Sequence, residues 1–153
     1  MAQTTGAVSN ACAKVEISDD GVTYTDISGV AQSVTDTEQT RMSDQAYTFS
    51  GEGPIILSGK KEPLEVTVAI VYSETDAEGY EQVRVRFEAA ACTPNFYLRY
   101  SPRGGNADDE QIVLGPGVIT AFTYPPVDAS NGGPIVSGFK LKVGNASTSI
   151  VAS

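Results

Sequence analysis

The run "NADDE" sets Asp108, Asp109 and Glu110 side by side, and two carboxylates suffice for glycoside hydrolysis when one acts as acid and the other as base or nucleophile. In a Gly-rich turn both would be solvated and ionised, whereas that chemistry needs one acid held protonated. The chain also has no tryptophan to stack a sugar ring. Asp19 and Asp20 in "SDDG" lack the spaced ligands and closing glutamate of a calcium loop and read as a turn. "PRGGN" lacks the lysine and helix start of a phosphate loop. Histidine is absent, which removes the usual general base and the commonest zinc ligand together. Cys12 and Cys92 lie far apart among small or apolar residues and are expected as buried free thiols, not as metal ligands or a disulfide. The groups able to do chemistry do not converge, so the expectation is a protein without catalytic, metal or cofactor sites.

The charge balance narrows the partners. With 19 acidic and 10 basic residues the 153-residue chain carries a net charge of -9, which repels nucleic acid and anionic membrane. The one adjacent basic pair, Lys60 and Lys61 in "GKKE", reads as a solvated loop. No apolar run approaches the ~18 residues needed to span a bilayer. "MAQTTGAVSN" has neither the basic start nor the apolar core of a secretory signal, so export by that route is not expected. A hydrophobic content of 41% supports one domain with a real core, taken as residues 1–153.

The elements that would position these residues are mostly short strands. "ACAKVEI" and "VTYTDI" flank the "SDDG" turn as a hairpin. "QSVTDTEQT", Gln32 to Thr40, alternates like a strand but is polar on both faces, which suits water on both sides or a paired neighbour. Residues 41–63 are too long and too punctuated by Gly and Pro for an ordinary connection. They carry "YTF" and "IIL" and read as an extended hairpin-like arm with something to bind at its tip, or else as a segment folded onto its own core. "LEVTVAIVY" is apolar on both faces through Val66, Val68, Ile70 and Tyr72 and through Ala69 and Val71, so a cover on both sides is expected.

That cover is adjacent in sequence. Thr75 and Glu78 form a T-x-x-E capping box, and Tyr80, Val83 and Phe87 follow at helical spacing, predicting a helix over about Asp76 to Ala91 that packs these three on the sheet. "VRVRF" also alternates as a strand would. The capping box, the run "EAAA" and the length favour helix. Four further strands, "NFYLRY", "QIVLG", "GVITAFTY" and "GFKLKV", follow, the last with Phe139, Leu141 and Val143 inward and Lys140 and Lys142 outward. Flexible arms are expected at about 1–10 and 144–153.

Two polar arms, a long insertion between early strands, one helix after a hydrophobic strand and a strand-rich C-terminal half go with the local sequences "VTYTDISG", "YTFSGEGPI", "GKKEPLEVTVAIVYSE", "LGPGVITAFTYPPVDA" and "FKLKV". Over nearly its whole length the chain thereby resembles the tail tube (major tail) proteins of long-tailed bacteriophages, which are related to the tubes of contractile tails and type VI secretion. The resemblance implies a mainly β subunit, sandwich or barrel-like, with one flanking helix. It implies sixfold rings of the protein with itself, stacked into a hollow tube through which phage DNA leaves without specific binding. It also implies a place in the virion tail after assembly in the host bacterial cytoplasm, no membrane, and tail-tip or initiator, tape-measure and tail-terminator proteins as partners. The loop role of the family would fall on Tyr47, Phe49, Ile55, Ile56 and Leu57 as inter-ring contacts. Duplex DNA carries about one charge per 1.7 Å, so an acidic wall would keep it from sticking, and Asp36 and Glu38 are the expected lumen-facing residues. The other classes are a tube protein of a contractile or type VI-like machine and a monomeric β-sandwich binding or decoration module.

Overall fold

Along two strands of this chain the alternation of side chains sorts core from surface. On Leu64–Val71, Leu64, Val66, Val68 and Ile70 are buried, and on Val136–Val143 so are Phe139, Leu141 and Val143, while Lys140 and Lys142 between them are exposed. The computed structural model describes residues 2–89 and 95–152. After a 3-10 turn at Asn10–Cys12 its elements are β1 (Lys14–Ser18), β2 (Thr25–Asp26), β3 (Ala31–Thr35), β4 (Arg41–Ala46), β5 (Ile55–Lys61), β6 (Leu64–Val71), α1 (Gly79–Glu88), β7 (Phe96–Ser101), β8 (Glu110–Thr123), β9 (Val136–Val143) and β10 (Ala146–Ile150). One antiparallel sheet runs β2-β1-β7-β8-β9-β6-β3, with β10 also on β8, and β4-β5 form a separate two-stranded sheet.

The large sheet curls on itself. The turn after β2 bridges its two sides: Ile27 N donates to Val15 O at 2.9 Å, Val30 N to Ile27 O at 3.0 Å, and Val71 N to Val30 O at 2.8 Å. Val15 and Ile17 of β1 thereby join the core of β6 and β9. Curvature closes the molecule, which is mainly β and barrel-like with one helix. Among the described residues the cover expected on both faces of β6 is present on one face only. Its outer face, Glu65, Thr67, Ala69 and Val71, is exposed or half-buried, since small Ala69 and Val71 tolerate water and the whole apolar set needs only one interior.

α1 fills the concave side and packs on β6, β8 and β9. Tyr80 and Val83 are buried, and Phe87 is half-buried. Tyr80 meets Tyr72 edge-on at 4.8 Å and Phe122 at 5.4 Å, and Phe87 stacks on Phe122 at 5.5 Å. The helix is shorter than expected. It starts at Gly79 with Glu78 at the N-cap position and no side-chain cap. Thr75 contributes its backbone carbonyl to Glu78 N at 3.0 Å instead of a hydroxyl cap. A Cβ at Gly79 would fall 2.9 Å from Val30 Cγ2, so this close approach to the closing turn fixes where the helix begins. The expected end at Ala91 lies outside the described residues, as does Cys92. "VRVRF" is helical.

Three further expectations change. The strand over Gln32–Thr40 stops at Thr35 because Asp36 adopts φ +60°, a left-handed conformation that Asp tolerates and that ends alternation. It is also not polar on both faces, since Val34 and Ala31 pack against the core. The tail expected as a flexible arm is β10, held by backbone pairing of Ala146–Ile150 with Leu114–Glu110. Cys12 is exposed, because the turn holding it precedes β1 and the core.

Candidate assembly surfaces

Within the sheet, β3, β6, β9 and the second half of β8 form a strip of neighbouring antiparallel strands. Among the described residues both of its sides lack a further strand. β3 is the last strand in the order, and β7 accompanies β8 only as far as Gly117, leaving Val118–Thr123 with no strand partner on that side among the described residues. Unpaired strand edges are templates for another chain. An even number of antiparallel strands has edges running in opposite directions, so a copy related by rotation about an axis along the strands would meet β8 with its β3 antiparallel. Each edge also borders a hollow. A cleft of about 670 Å³ lined by Val15, Ala31, Val34 and Tyr100 flanks β3, and one of about 190 Å³ lined by Phe87, Phe96, Val118 and Ile119 flanks β8. Burial raises the Tyr100 phenol above its ordinary pKa, opposed by a hydrogen bond with Thr37.

The outer face of the strip has low relief. Register rows across it read Ser33, Ala69, Gly138, Thr123 and Thr35, Thr67, Lys140, Ala121, followed by Glu65, Lys142, Val118. Thr67 Oγ1 donates to Asp36 Oδ2 at 2.7 Å, which seats Asp36 beside this face. Glu38 is exposed in the segment beyond it.

The second surface is the arm formed by β4 and β5. Every residue of both strands is exposed, as are the tip aromatics, with Phe49 at 111% and Tyr47 at 70% relative exposure. Ile55, Ile56 and Leu57 lie on β5, paired with Ala46, Gln45 and Asp44. Neither face of this arm rests on the body, and a lone two-stranded hairpin is marginal in water. Its base is latched to the body. The Gln39 amide donates to Glu62 O at 3.0 Å and Gly144 O at 3.1 Å and accepts from Ala146 N at 3.3 Å. Lys61 Nζ donates to Asn145 Oδ1 at 2.8 Å. These groups hold the joint where β9 passes into β10, and β10 keeps the register of β9 along β8, Val143 facing Gly117 and Ala146 facing Leu114.

The candidate residues thus fall into three places: Tyr80, Val83 and Phe87 at the helix, the five arm residues together on the hairpin, and Asp36 by the strip. Sequence reasoning missed Lys140, Lys142, Glu65 and Thr120 as members of one face, and Gln39 as a latch. The clean alternation of "GFKLKV" signalled the lysines. The carboxylates of "NADDE" do not form an acid–base pair: Asp109 Oδ2 accepts from Asn106 N at 3.0 Å in its own turn. Asp20 accepts from Val22 N, Thr23 N and Ser18 Oγ, which hold its carboxyl below the usual range. Among the described residues no cluster of three or more His, Cys, Asp or Glu could hold a metal ion, and no helix is long and apolar enough to cross a membrane.

No protein-family profile matches the chain, and no curated protein matches it in sequence. Solved structures do match over nearly its full length. A chain of an extracellular contractile injection system, from the PVC sheath-tube complex in its extended state, superposes with a TM-score of 0.73 at 11% identity, covering 98% of this chain and 100% of that one. A chain of the anti-feeding prophage cap, the tube terminating cap, gives 0.74 at 10% identity, covering 98% and 95%. A chain from the tail of an empty GTA particle, refined with helical and C6 symmetry, gives 0.63 at 13% identity, covering 99% and 100%. With its curled antiparallel sheet, one α-helix among the described residues and projecting hairpin, this chain has the tail tube fold of phage-like tails and injection systems.

Proposed function

We propose that this chain is a structural subunit that assembles with itself into the tube of a phage-like tail or injection machine. The observation that carries the reading is the strip with two complementary edges that have no strand partner among the described residues. Pairing β3 of one copy with the β8 edge of the next removes both edges and closes a ring, and the strip's outer face then lines the bore. Six subunits per ring is the count favoured by the C6 symmetry of the GTA tail and the 6-fold symmetrised anti-feeding prophage baseplate, both of this fold. The arm, with Tyr47, Phe49, Ile55, Ile56 and Leu57, reaches the next ring, so rings stack into a hollow tube. DNA is the cargo in a phage tail and passes without specific binding. Tail-tip or initiator, tape-measure and terminator proteins are the further partners, in a particle assembled in the host bacterial cytoplasm. We read the role as structural, in keeping with the tube and tail chains that share the fold.

A terminator subunit is the second reading, favoured by matches to an anti-feeding prophage tube terminating cap and a PVC sheath/tube terminator. Negative-stain microscopy of the concentrated purified protein separates the cases. Regular hollow tubes support the tube subunit, and single rings that add to the end of a tube support the terminator. A monomer at every concentration, alone and with isolated tails, rejects both in favour of a lone binding or decoration module.

A further inference from the structure

Basic residues are scarce in this chain, 10 against 19 acidic ones, yet Lys140 and Lys142 stand together on the outer face of β9. Lys142 lies opposite Glu65 of β6, and Lys140 lies opposite Thr67, whose hydroxyl donates to Asp36. Thr120 of β8 donates to Glu65 Oε2 at 3.1 Å. Two cations and two carboxylates therefore share one patch of small side chains. Glu65 and Lys142 are cross-strand neighbours, Asp36 and Lys140 are linked through Thr67, and neither lysine belongs to an ion pair among the described residues.

We propose that Lys140 and Lys142 bring the wall of the conduit close to zero charge, an inference that rests on the reading that this face lines the bore. On a lone subunit two exposed carboxylates cost almost nothing. In a tube each is repeated around every ring and again in the next ring, and a concave low-dielectric wall focuses the summed field. Within a Debye length of ~8–10 Å salt screens such neighbours only in part. Without the lysines the wall would carry Asp36 and Glu65 from every copy and repel itself. With them the patch sums to zero, and the excess negative charge of the chain stays on its other surfaces. A compensated wall also offers a passing chain neither repeated attraction nor repulsion, so it does not select its cargo by charge. Of the two carboxylates expected on the wall, Asp36 belongs to this balanced patch, and Glu38 lies in the segment beyond it.

The test is the critical concentration for tube formation at low and high ionic strength, with the thermal midpoint of the dispersed subunit as a control for folding. Lys142→Glu should raise the critical concentration about tenfold at low salt and much less at high salt. The swap Glu65→Lys with Lys142→Glu should return wild-type behaviour. A Lys142→Glu protein that polymerises normally at both salts, or a swap that fails to restore it, overturns the charge balance. A second arm tests the bore separately, using Lys140→Cys in a background with both native cysteines, Cys12 and Cys92, replaced by serine. A small maleimide should label residue 140 in assembled tubes, and a PEG-maleimide too bulky for the bore should label it only in dispersed subunits. Labelling of tubes by both reagents rejects the lumen reading itself. Exclusion of the bulky reagent together with salt-independent Lys142→Glu assembly keeps the lumen and rejects the balance.

Discussion

Tyr80 and Phe87 sit two helical turns apart on α1 but do unequal work. Tyr80 is buried between Tyr72 and Phe122, with ring centroids at 4.8 and 5.4 Å, whereas Phe87 keeps one side in water while stacking on Phe122. The cost of truncation follows the packing lost. Tyr80→Ala should destabilise the subunit by ~3–5 kcal/mol, and Phe87→Ala by a smaller ~1–3 kcal/mol. Urea titration of the dispersed protein checks this, and equal losses would mean that the helix lies deeper on β8 than described. Helical spacing in the sequence pointed to all three apolar positions. It could not rank them, because the rank depends on Phe122, which is 35 residues from Phe87 and was visible only as part of another strand. Gly138 is a second case where a distant neighbour decides. A Cβ there would lie 2.6 Å from Val68 O, so Gly138→Ala should push β9 off β6 and cost ~1–3 kcal/mol.

The arm and the C-terminal strand are separate in sequence and joined through one side chain. Gln39 holds Gly144 and Ala146 while also holding Glu62 at the arm's base, so its removal should loosen both elements and leave the core untouched. Gln39→Ala is expected to change global stability by only about 1 kcal/mol, in line with exposed hydrogen bonds. It should speed proteolysis at the arm base and hydrogen exchange over Ala146–Ile150 together. Faster exchange at only one of the two would break the coupling. This latch shows where legibility from sequence ended. β9 was legible because one face meets a core and the other meets water, which writes the period into the residue types. β10 was not, since Ser and Thr dominate it and its order comes from backbone pairing with β8. β3 was read too long because nothing in "VTDTEQ" announces the φ of Asp36. The arm was legible from its length and its stranded apolar residues, but the open edges of the strip were not. An edge is defined by which strand is missing beside it, and pairing between remote strands leaves little local trace.

At the scale of the whole molecule the two ends differ. The arm leaves the body beside Leu64 and Val143, and the loop between β8 and β9 lies at the other end of the same strands, beside Val71 and Val136. Eight residues of strand at ~3.3 Å each put these ends roughly 25 Å apart. That far loop exposes Tyr124 and, at 82%, Val127, close in sequence to Pro125 and Pro126. In the proposed tube an apolar arm at one end and an apolar loop at the other would make a head-to-tail contact, a type that repeats without closing and generates an open filament. Phe49→Asp and Val127→Asp change only exposed side chains and should leave the fold and ring closure intact. Each should stop rings from stacking when assembled alone. Mixed as preformed rings, they retain one productive face each, the Val127→Asp arm against the Phe49→Asp loop, and should give stacks of two rings and no tubes. Two symmetric faces would behave differently, with each variant blocked at both ends and the mixture no larger than its parts. Sizing by analytical ultracentrifugation distinguishes these outcomes, and a Val127→Asp protein that builds long tubes unaided would place the arm's receiving surface elsewhere on the neighbouring ring.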